Sequence, residues 1–244
     1  MEIIPVIDIL NGKVVHAVRG KRQEYQSLQS SLCKSVEPIK VAEAFRKLGF
    51  CELYIADLDA IAGGSMNFQV FERIAKETGL KLMVDAGVAD LEKAQKLLRS
   101  GVFKVIIGTE TLIRESFVGE AVRFFGGDHV MVSLDFKGEE VLLKSRFDSY
   151  KTPLRLLREF KEMGISEVIV LDLARVGSGE GVNVDFLKKV LEDVSLHVYV
   201  GGGVRDIKDL VELKKLGVAG VLLATSLHSG RISAEQLKRA KLLS

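Results

Sequence analysis

The feature that most narrows the fold of this chain is a regular alternation. Eight short runs rich in Val and Ile, at 3–7, 53–56, 81–84, 102–107, 130–134, 167–171, 197–200 and 219–223, are separated by longer stretches with helical spacing. Short, nearly continuous apolar runs are what strands buried on both faces look like. In 90–100, Leu91, Ala94, Leu97 and Leu98 form an apolar stripe, and Ile207, Leu210, Leu213 and Leu216 do the same in 206–216. Asp90 and Asp206 stand where N-caps belong, and Gly101 and Gly217 where C-terminal glycines belong. Eight strand–helix units in 244 residues predict one (β/α)8 barrel domain over 1–244. A doubly wound open sheet would want a glycine-rich first turn, and Ile7-Asp8-Ile9-Leu10 is none.

A long internal repeat refines this expectation. Pro38, Phe45 and Gly49 recur as Pro153, Phe160 and Gly164, each 115 residues on, and Glu52, Asp57 and Leu58 recur as Glu167, Asp172 and Leu173. VDAGVAD (84–90) then aligns with VGGGVRD (200–206). The expectation is two half-barrels, about 1–126 and 127–244, related by a pseudo-twofold axis. Strands 1 and 5 then lie opposite each other, and Asp8 and Asp135 point into one mouth from facing walls.

Charge and cysteine content exclude several classes. Lys plus Arg is 35 and Asp plus Glu is 33, a net charge of +2, which gives no electrostatic reason to expect nucleic acid or an anionic membrane as partner. No apolar run approaches the roughly 18 to 20 residues of a membrane span, and MEIIPVID reads as a first strand rather than a signal peptide. Cys33 and Cys51 are 18 apart with no ligand motif around them, as expected of free thiols in a reducing, cytoplasmic setting. No metal or cofactor is expected.

A barrel's active site lies at the C-terminal ends of its strands, and five acids sit there: Asp8, Asp57, Asp85, Asp135 and Asp172. Facing carboxylates suit acid–base work on a small molecule held between them, one of them keeping its proton near neutral pH. Asp8 and Asp135 are the catalytic candidates. Asp57, Asp85 and Asp172 are possible site residues, with a structural role in holding loop backbone open for Asp57 and Asp172. Arg19, in the loop after strand 1, is a further candidate. His129 and His197 begin strands and fall at the opposite face, leaving His16 and His228 near the mouth. The loop at 21–34, with Arg22 and Tyr25, is a candidate lid.

Gly201, Gly202 and Gly203 follow strand 7, and Ala224, Thr225 and Ser226 follow strand 8. Loops there commonly bind phosphate in this fold, through backbone N–H groups and a short helix N-terminus. A small phosphorylated metabolite is therefore the expected partner, and Gly202→Val is expected to block it without harming the fold. The related half-site holds Gly87, Gly108 and Thr109 but also Asp85 and Glu110, so anions are expected to bind weakly there, if at all, without a compensating Lys or Arg.

PVIDILNGKVV (5–15), ADLDAIAGGSMN (56–67), SLDFKG (133–138) and VGGGVRD (200–206) resemble the ProFAR isomerase family of histidine biosynthesis, over nearly the whole chain. The resemblance implies a two-half barrel that binds a substrate with two phosphates and converts an aminoaldose to an aminoketose by an Amadori rearrangement, without cofactor. The strand-1 aspartate, here Asp8, is then the base, and the strand-5 aspartate, here Asp135, the acid. The chain departs from the family at Asp85-Ala86-Gly87, where three glycines are usual, at Leu171, Val176 and Ser178 in the run after strand 6, and at Ala224-Thr225, where Gly-Arg is usual. Three readings stay open: isomerisation of the histidine-pathway bisphosphate; a related reaction on a monophosphate, as in the biosynthesis of a methanopterin-type cofactor; and non-catalytic binding of a phosphorylated metabolite.

Overall fold

The computed structural model describes residues 1–138, 140–144 and 152–243. Eight parallel strands form its centre: β1 (Glu2–Leu10), β2 (Glu52–Asp57), β3 (Lys81–Asp85), β4 (Val102–Gly108), β5 (Val130–Lys137), β6 (Glu167–Asp172), β7 (His197–Gly201) and β8 (Gly220–Leu223). Each pairs with the next, and β8 pairs back onto β1 from Glu2↔Gly220 to Pro5↔Leu223, so the sheet closes into a (β/α)8 barrel. Outside it run α1 (Pro38–Leu48), α2 (Phe68–Thr78), α3 (Leu91–Arg99), α4 (Ser116–Phe125), α5 (Pro153–Glu162), α6 (Val184–Asp193), α7 (Ile207–Lys215) and α8 (Ala234–Arg239).

The helix ends follow the sequence signals. The Asp90 carboxylate accepts from Lys93 N at 2.8 Å, and that of Asp206 from Lys208 N at 2.8 Å and Asp209 N at 3.3 Å. Each satisfies N–H groups that a first helical turn leaves unpaired. Gly101 and Gly217 both take φ +87° just past their helices, a backbone that residues with a side chain rarely adopt.

Strands alternate their side chains between two layers. Outward residues such as Ile7, Leu53, Leu82, Val132, Val168 and Val221 pack under the helices in the main core. Inward residues fill the barrel: Ile4, Tyr54, Met83, Ile106, Met131, Ile169, Tyr199 and Leu222. The N-terminal end is plugged by charge. Lys104 pairs with Glu167, and the Tyr199 hydroxyl donates to Glu2 at 2.9 Å and Glu167 at 3.2 Å. His129, whose Nδ1 hydrogen-bonds the Phe103 carbonyl at 2.8 Å, and the exposed His197 stand at the same end, as expected.

Most strands run further toward the mouth than the apolar runs suggest, and β1 and β2 also begin one residue earlier at the base. β2, β3 and β6 take in their terminal aspartates. β1 continues past Asp8 to turn at Asn11 (φ +52°) and Gly12 (φ +71°) and pair antiparallel with Lys13–His16. β5 continues past Asp135 and pairs antiparallel with Glu140–Val141. Among the described residues no helix is long and apolar enough to cross a membrane.

Candidate active site

At the C-terminal ends of the strands the barrel opens into a cavity of about 740 Å3. The two-residue period of a strand decides which of the five acids reach it. Asp8 shares parity with inward Ile4 and Val6, Asp85 with Met83, and Asp135 with Met131; all three line the cavity. Asp57 and Asp172 share parity with outward Leu53, Ile55, Val168 and Val170, and neither lines it.

The outward pair holds loops. Asp57 is fully buried and accepts from Ala60 N at 3.3 Å, Asn67 N at 2.9 Å and Asn67 Nδ2 at 3.0 Å, which ties the 57–67 loop to the end of β2. Asp172 accepts from Ala174 N at 3.1 Å and pairs with Arg175 at 3.2 Å, fixing the first turn after β6.

The inward trio is a different environment. Asp8 has no hydrogen-bond partner for its carboxylate among the described residues, and burial pushes its carboxyl up to about 7. Asp85, 5% exposed, accepts from Gly87 N at 3.1 Å, and burial pushes it up to about 7 against that hydrogen bond. Asp135, 3% exposed, accepts from Ser133 Oγ at 2.7 Å and Glu110 N at 3.4 Å. Burial first, and then the neighbouring Asp85, hold its carboxyl well above the usual carboxylate range. Asp85 and Asp135 crowd the same point: a Cβ at Gly108 would stand 3.0 Å from one carboxylate oxygen and 3.1 Å from the other. Asp8, at about 7, is thus poised between acid and base near neutral pH, and burial with a carboxylate neighbour pushes Asp135 toward its protonated form.

The phosphate candidates divide. Gly201, Gly202, Gly203, Ala224, Thr225 and Ser226 all line the cavity. The N–H groups of Gly203, Thr225 and Ser226 have no partner among the described residues. Arg231 lines the same wall and has no carboxylate partner among the described residues; its Nε donates to Ser229 Oγ at 3.3 Å. The structure does not bring Gly87, Gly108 and Thr109 to the cavity wall. Gly87 N is taken by Asp85. Thr109 is fully buried, its N–H on the Ser133 carbonyl at 2.9 Å and its hydroxyl accepting from Asp135 N at 3.0 Å. The expectation that Gly202→Val spares the fold is overturned. Gly202 has φ +93°, and a Cβ there would stand 2.6 Å from the Asp172 carbonyl oxygen. Gly203, at φ +88°, faces the Gly181 carbonyl at 2.3 Å in the same sense. The glycine run is where β7 threads against the loop after β6.

The loop after β1 covers the mouth, with residues 19–25 on the cavity wall. Arg19, at φ +51°, donates its N–H to the Val176 carbonyl at 2.9 Å and its guanidinium to Glu180 at 2.5 Å. Arg22 pairs with Glu110 at 2.5 Å, the compensation that the acidic half-site lacked in the sequence. Tyr25 is pushed up to about 12 by burial and by Asp8. Further along, Ser31 N donates to the His228 carbonyl at 2.8 Å and Ser30 Oγ hydrogen-bonds His228 Nδ1 at 2.9 Å; burial holds His228 down near 4, hence neutral. His16 hydrogen-bonds Thr225 Oγ1 at 2.9 Å. Sequence reasoning missed Tyr54 and Arg231. The parity of β2 pointed to the first; Arg231, six residues into the segment after Thr225, carried no signal short of the fold.

A barrel with inward carboxylates on opposing strands and a donor-rich wall at β7 and β8 defines a class of small-molecule site, and comparison with known proteins places the chain within one family. It belongs to the histidine biosynthesis protein family, whose model matches residues 2–233. It is 36% identical over 240 residues to an uncharacterized protein of Methanocaldococcus jannaschii, covering 97% of each chain. It is 33% identical over 246 residues to the 1-(5-phosphoribosyl)-5-((5-phosphoribosylamino)methylideneamino) imidazole-4-carboxamide isomerase of Methanosarcina mazei, covering 99% of this chain and 98% of that one. The isomerase of the same name in Methanocaldococcus jannaschii is 29% identical over 238 residues, with 97% of each covered.

Proposed function

We propose that this protein is an aldose–ketose isomerase of the Amadori type, acting on a phosphorylated ribosylamine or a related phosphosugar. The observation that carries the reading is the pair of cavity-lining carboxylates, Asp8 and Asp135, on strands four apart in an eight-strand ring and therefore on opposite walls. Relatives named as isomerases support the class of reaction.

The chemistry follows from the two protonation states. Protonated Asp135 gives its proton to the ring oxygen; the C1–O bond breaks, and the nitrogen lone pair forms a C1=N iminium. Asp8, as carboxylate, removes the proton from C2, and that electron pair becomes a C1=C2 double bond while the nitrogen becomes neutral. Return of a proton to C1 and loss of the 2-hydroxyl proton leave a ketone at C2, so atoms and charge balance. The phosphate is held by the N–H groups of Gly203, Thr225 and Ser226, with Arg231 as its cation. Loop 19–25 closes water out, with Arg19 and Arg22 fastening it.

The test is turnover of the phosphoribosylated imidazole carboxamide for which the relatives are named, and of simpler phosphoribosylamines, by wild type, Asp8→Asn and Asp135→Asn. Wild-type turnover of at least one of these compounds, with a loss of at least about 100-fold in kcat for each variant, is expected. Turnover that survives both changes would overturn the assignment.

A further inference from the structure

The two ends of the cavity differ in kind. The wall at β7 and β8 offers Gly203, Thr225 and Ser226 N–H groups and Arg231. The wall at β3 and β4 has its donors already engaged: Gly87 N on Asp85, Thr109 N on Ser133 and Glu110 N on Asp135. What it turns toward the cavity is acceptor. Asp85 Oδ2 has no hydrogen-bond partner among the described residues, and the side chain is 5% exposed. The Tyr54 hydroxyl has none either; the residue is 4% exposed and lines the same wall. The charges that act on this phenol are Asp85, Asp135, Asp8 and Glu110, so it stands among all four carboxylates.

Among the described residues, the cations nearby do not reverse this. Arg19 is on Glu180, Lys21 on Glu24 at 3.0 Å, and Arg22 on Glu110. Lys104 is at the far end of the barrel on Glu167. Lys137 lines the cavity beyond Asp135, and is not among the principal charges on either Asp85 or Asp135.

We infer that this wall, built from Asp85, Tyr54 and Glu110, takes the positively charged nitrogen end of a substrate that carries a single phosphate, held at the opposite wall. Among the described residues, a second phosphate here would meet carboxylates and no free N–H group of Gly87, Thr109 or Glu110. An ammonium or iminium nitrogen meets Asp85 Oδ2 as counter-charge and the Tyr54 oxygen as acceptor, and the phenol proton is then free to go to a neighbouring carboxylate. The inference rests on the proposed isomerisation only in that ring opening creates a cationic nitrogen in this place; the distribution of donors and acceptors stands without it.

Calorimetry separates the two. The probes are inorganic phosphate, glucose 6-phosphate, glucosamine 6-phosphate and ribulose 1,5-bisphosphate, titrated into wild type, Asp85→Asn and Tyr54→Phe. In wild type the amino sugar phosphate is expected to bind at least about tenfold more tightly than its hydroxyl counterpart, and the bisphosphate no more tightly than a monophosphate. Asp85→Asn is expected to abolish the amine preference and leave inorganic phosphate affinity unchanged, and Tyr54→Phe to reduce the preference several-fold. A bisphosphate bound tenfold more tightly than the monophosphates, a preference that survives Asp85→Asn, or no preference for the amine, including no binding of either sugar phosphate, overturns the inference. An amine preference without turnover of any aminoaldose sinks the proposed reaction and leaves this wall's role standing; turnover without the preference does the reverse.

Discussion

At the scale of single residues, burial makes the three inward carboxylates both reactive and destabilising. Asp8 and Asp85 have folded-state values of about 7 against an ordinary 3.8. Between those pH values the folded chain holds more protons than the unfolded one, so ν_U − ν_N is negative and stability falls as pH rises from about 4 to about 7. Asp85→Asn is therefore expected to raise the melting temperature at pH 8, by about 2 kcal/mol or roughly 4–8 °C, with the gain vanishing near pH 4; thermal melts at both pH values measure it. In the proposed reaction the same groups shape activity. kcat/KM should fall below pH about 7 as Asp8 takes up its proton, and at high pH as Asp135 loses its own. Asp85→Asn should move that alkaline limb to lower pH, because the Asp85 charge helps Asp135 keep its proton; an unmoved limb would show that the two carboxyls titrate independently. The sequence brought all five acids to the mouth and singled out Asp8 and Asp135 as the facing pair, leaving Asp57, Asp85 and Asp172 as possible site residues. Counting by twos from the inward apolar residues separates Asp8, Asp85 and Asp135 from Asp57 and Asp172, and that rule needs only the strand assignment. Tyr54 was legible by the same count, as an inward polar group on β2. The Arg22–Glu110 pair was not, because 88 residues separate its members and only the folded loop brings them together.

At the scale of elements, the alternation of runs gave the strands and helices, while the strand ends were read short. An aspartate after an apolar run looks like a terminator, yet here the backbone ladder continues through it, since a carboxylate in a cavity needs no break in pairing. The turn at Asn11-Gly12 has the strongest short hairpin signal a chain can carry, and it extends β1 past Asp8. The glycines after β7 were read as making room for a ligand, and they also make room for another loop. Gly202→Val is therefore expected to lower stability by several kcal/mol, beyond the roughly 1–3 kcal/mol of a strained backbone alone. Urea denaturation measures this; a variant as stable as wild type would mean that the β6 loop shifts aside freely. Arg231→Met tests the other side of the same wall, with KM for a phosphorylated substrate raised about tenfold or more and kcat little changed, as loss of uniform binding requires.

At the scale of the whole molecule, the two ends of the barrel carry charge for different ends. Asp8, Asp85 and Asp135 at the mouth have no ion-pair partner among the described residues and face a cavity. At the base Glu167 pairs with Lys104, and Glu2 and Glu167 both accept from the Tyr199 hydroxyl; burial, and after it Glu2, pushes Glu52 upward against the charges of Lys81 and Lys104. Lys104→Met would leave the half-buried Glu167 without this partner, and is expected to cost up to about 3 kcal/mol, the lower end of the penalty for breaking a buried pair by removing one partner. Chemical denaturation at pH 7 measures the loss. The barrel itself was legible from the repeat of eight units, but this plug was not: its members are single residues at strand starts, scattered from 2 to 199 and joined only by closure.

Closure of the sheet by β8 onto β1 also sets a timetable during synthesis. β1 leaves the ribosome first, yet its outer side stays unpaired until residues 220–223 emerge, roughly 10 to 40 s later at ordinary elongation rates. For that interval a nascent chain offers an apolar strand edge to any neighbour on the same message. The seam that completes the ring, from Glu2↔Gly220 to Pro5↔Leu223, is thus the one left open longest.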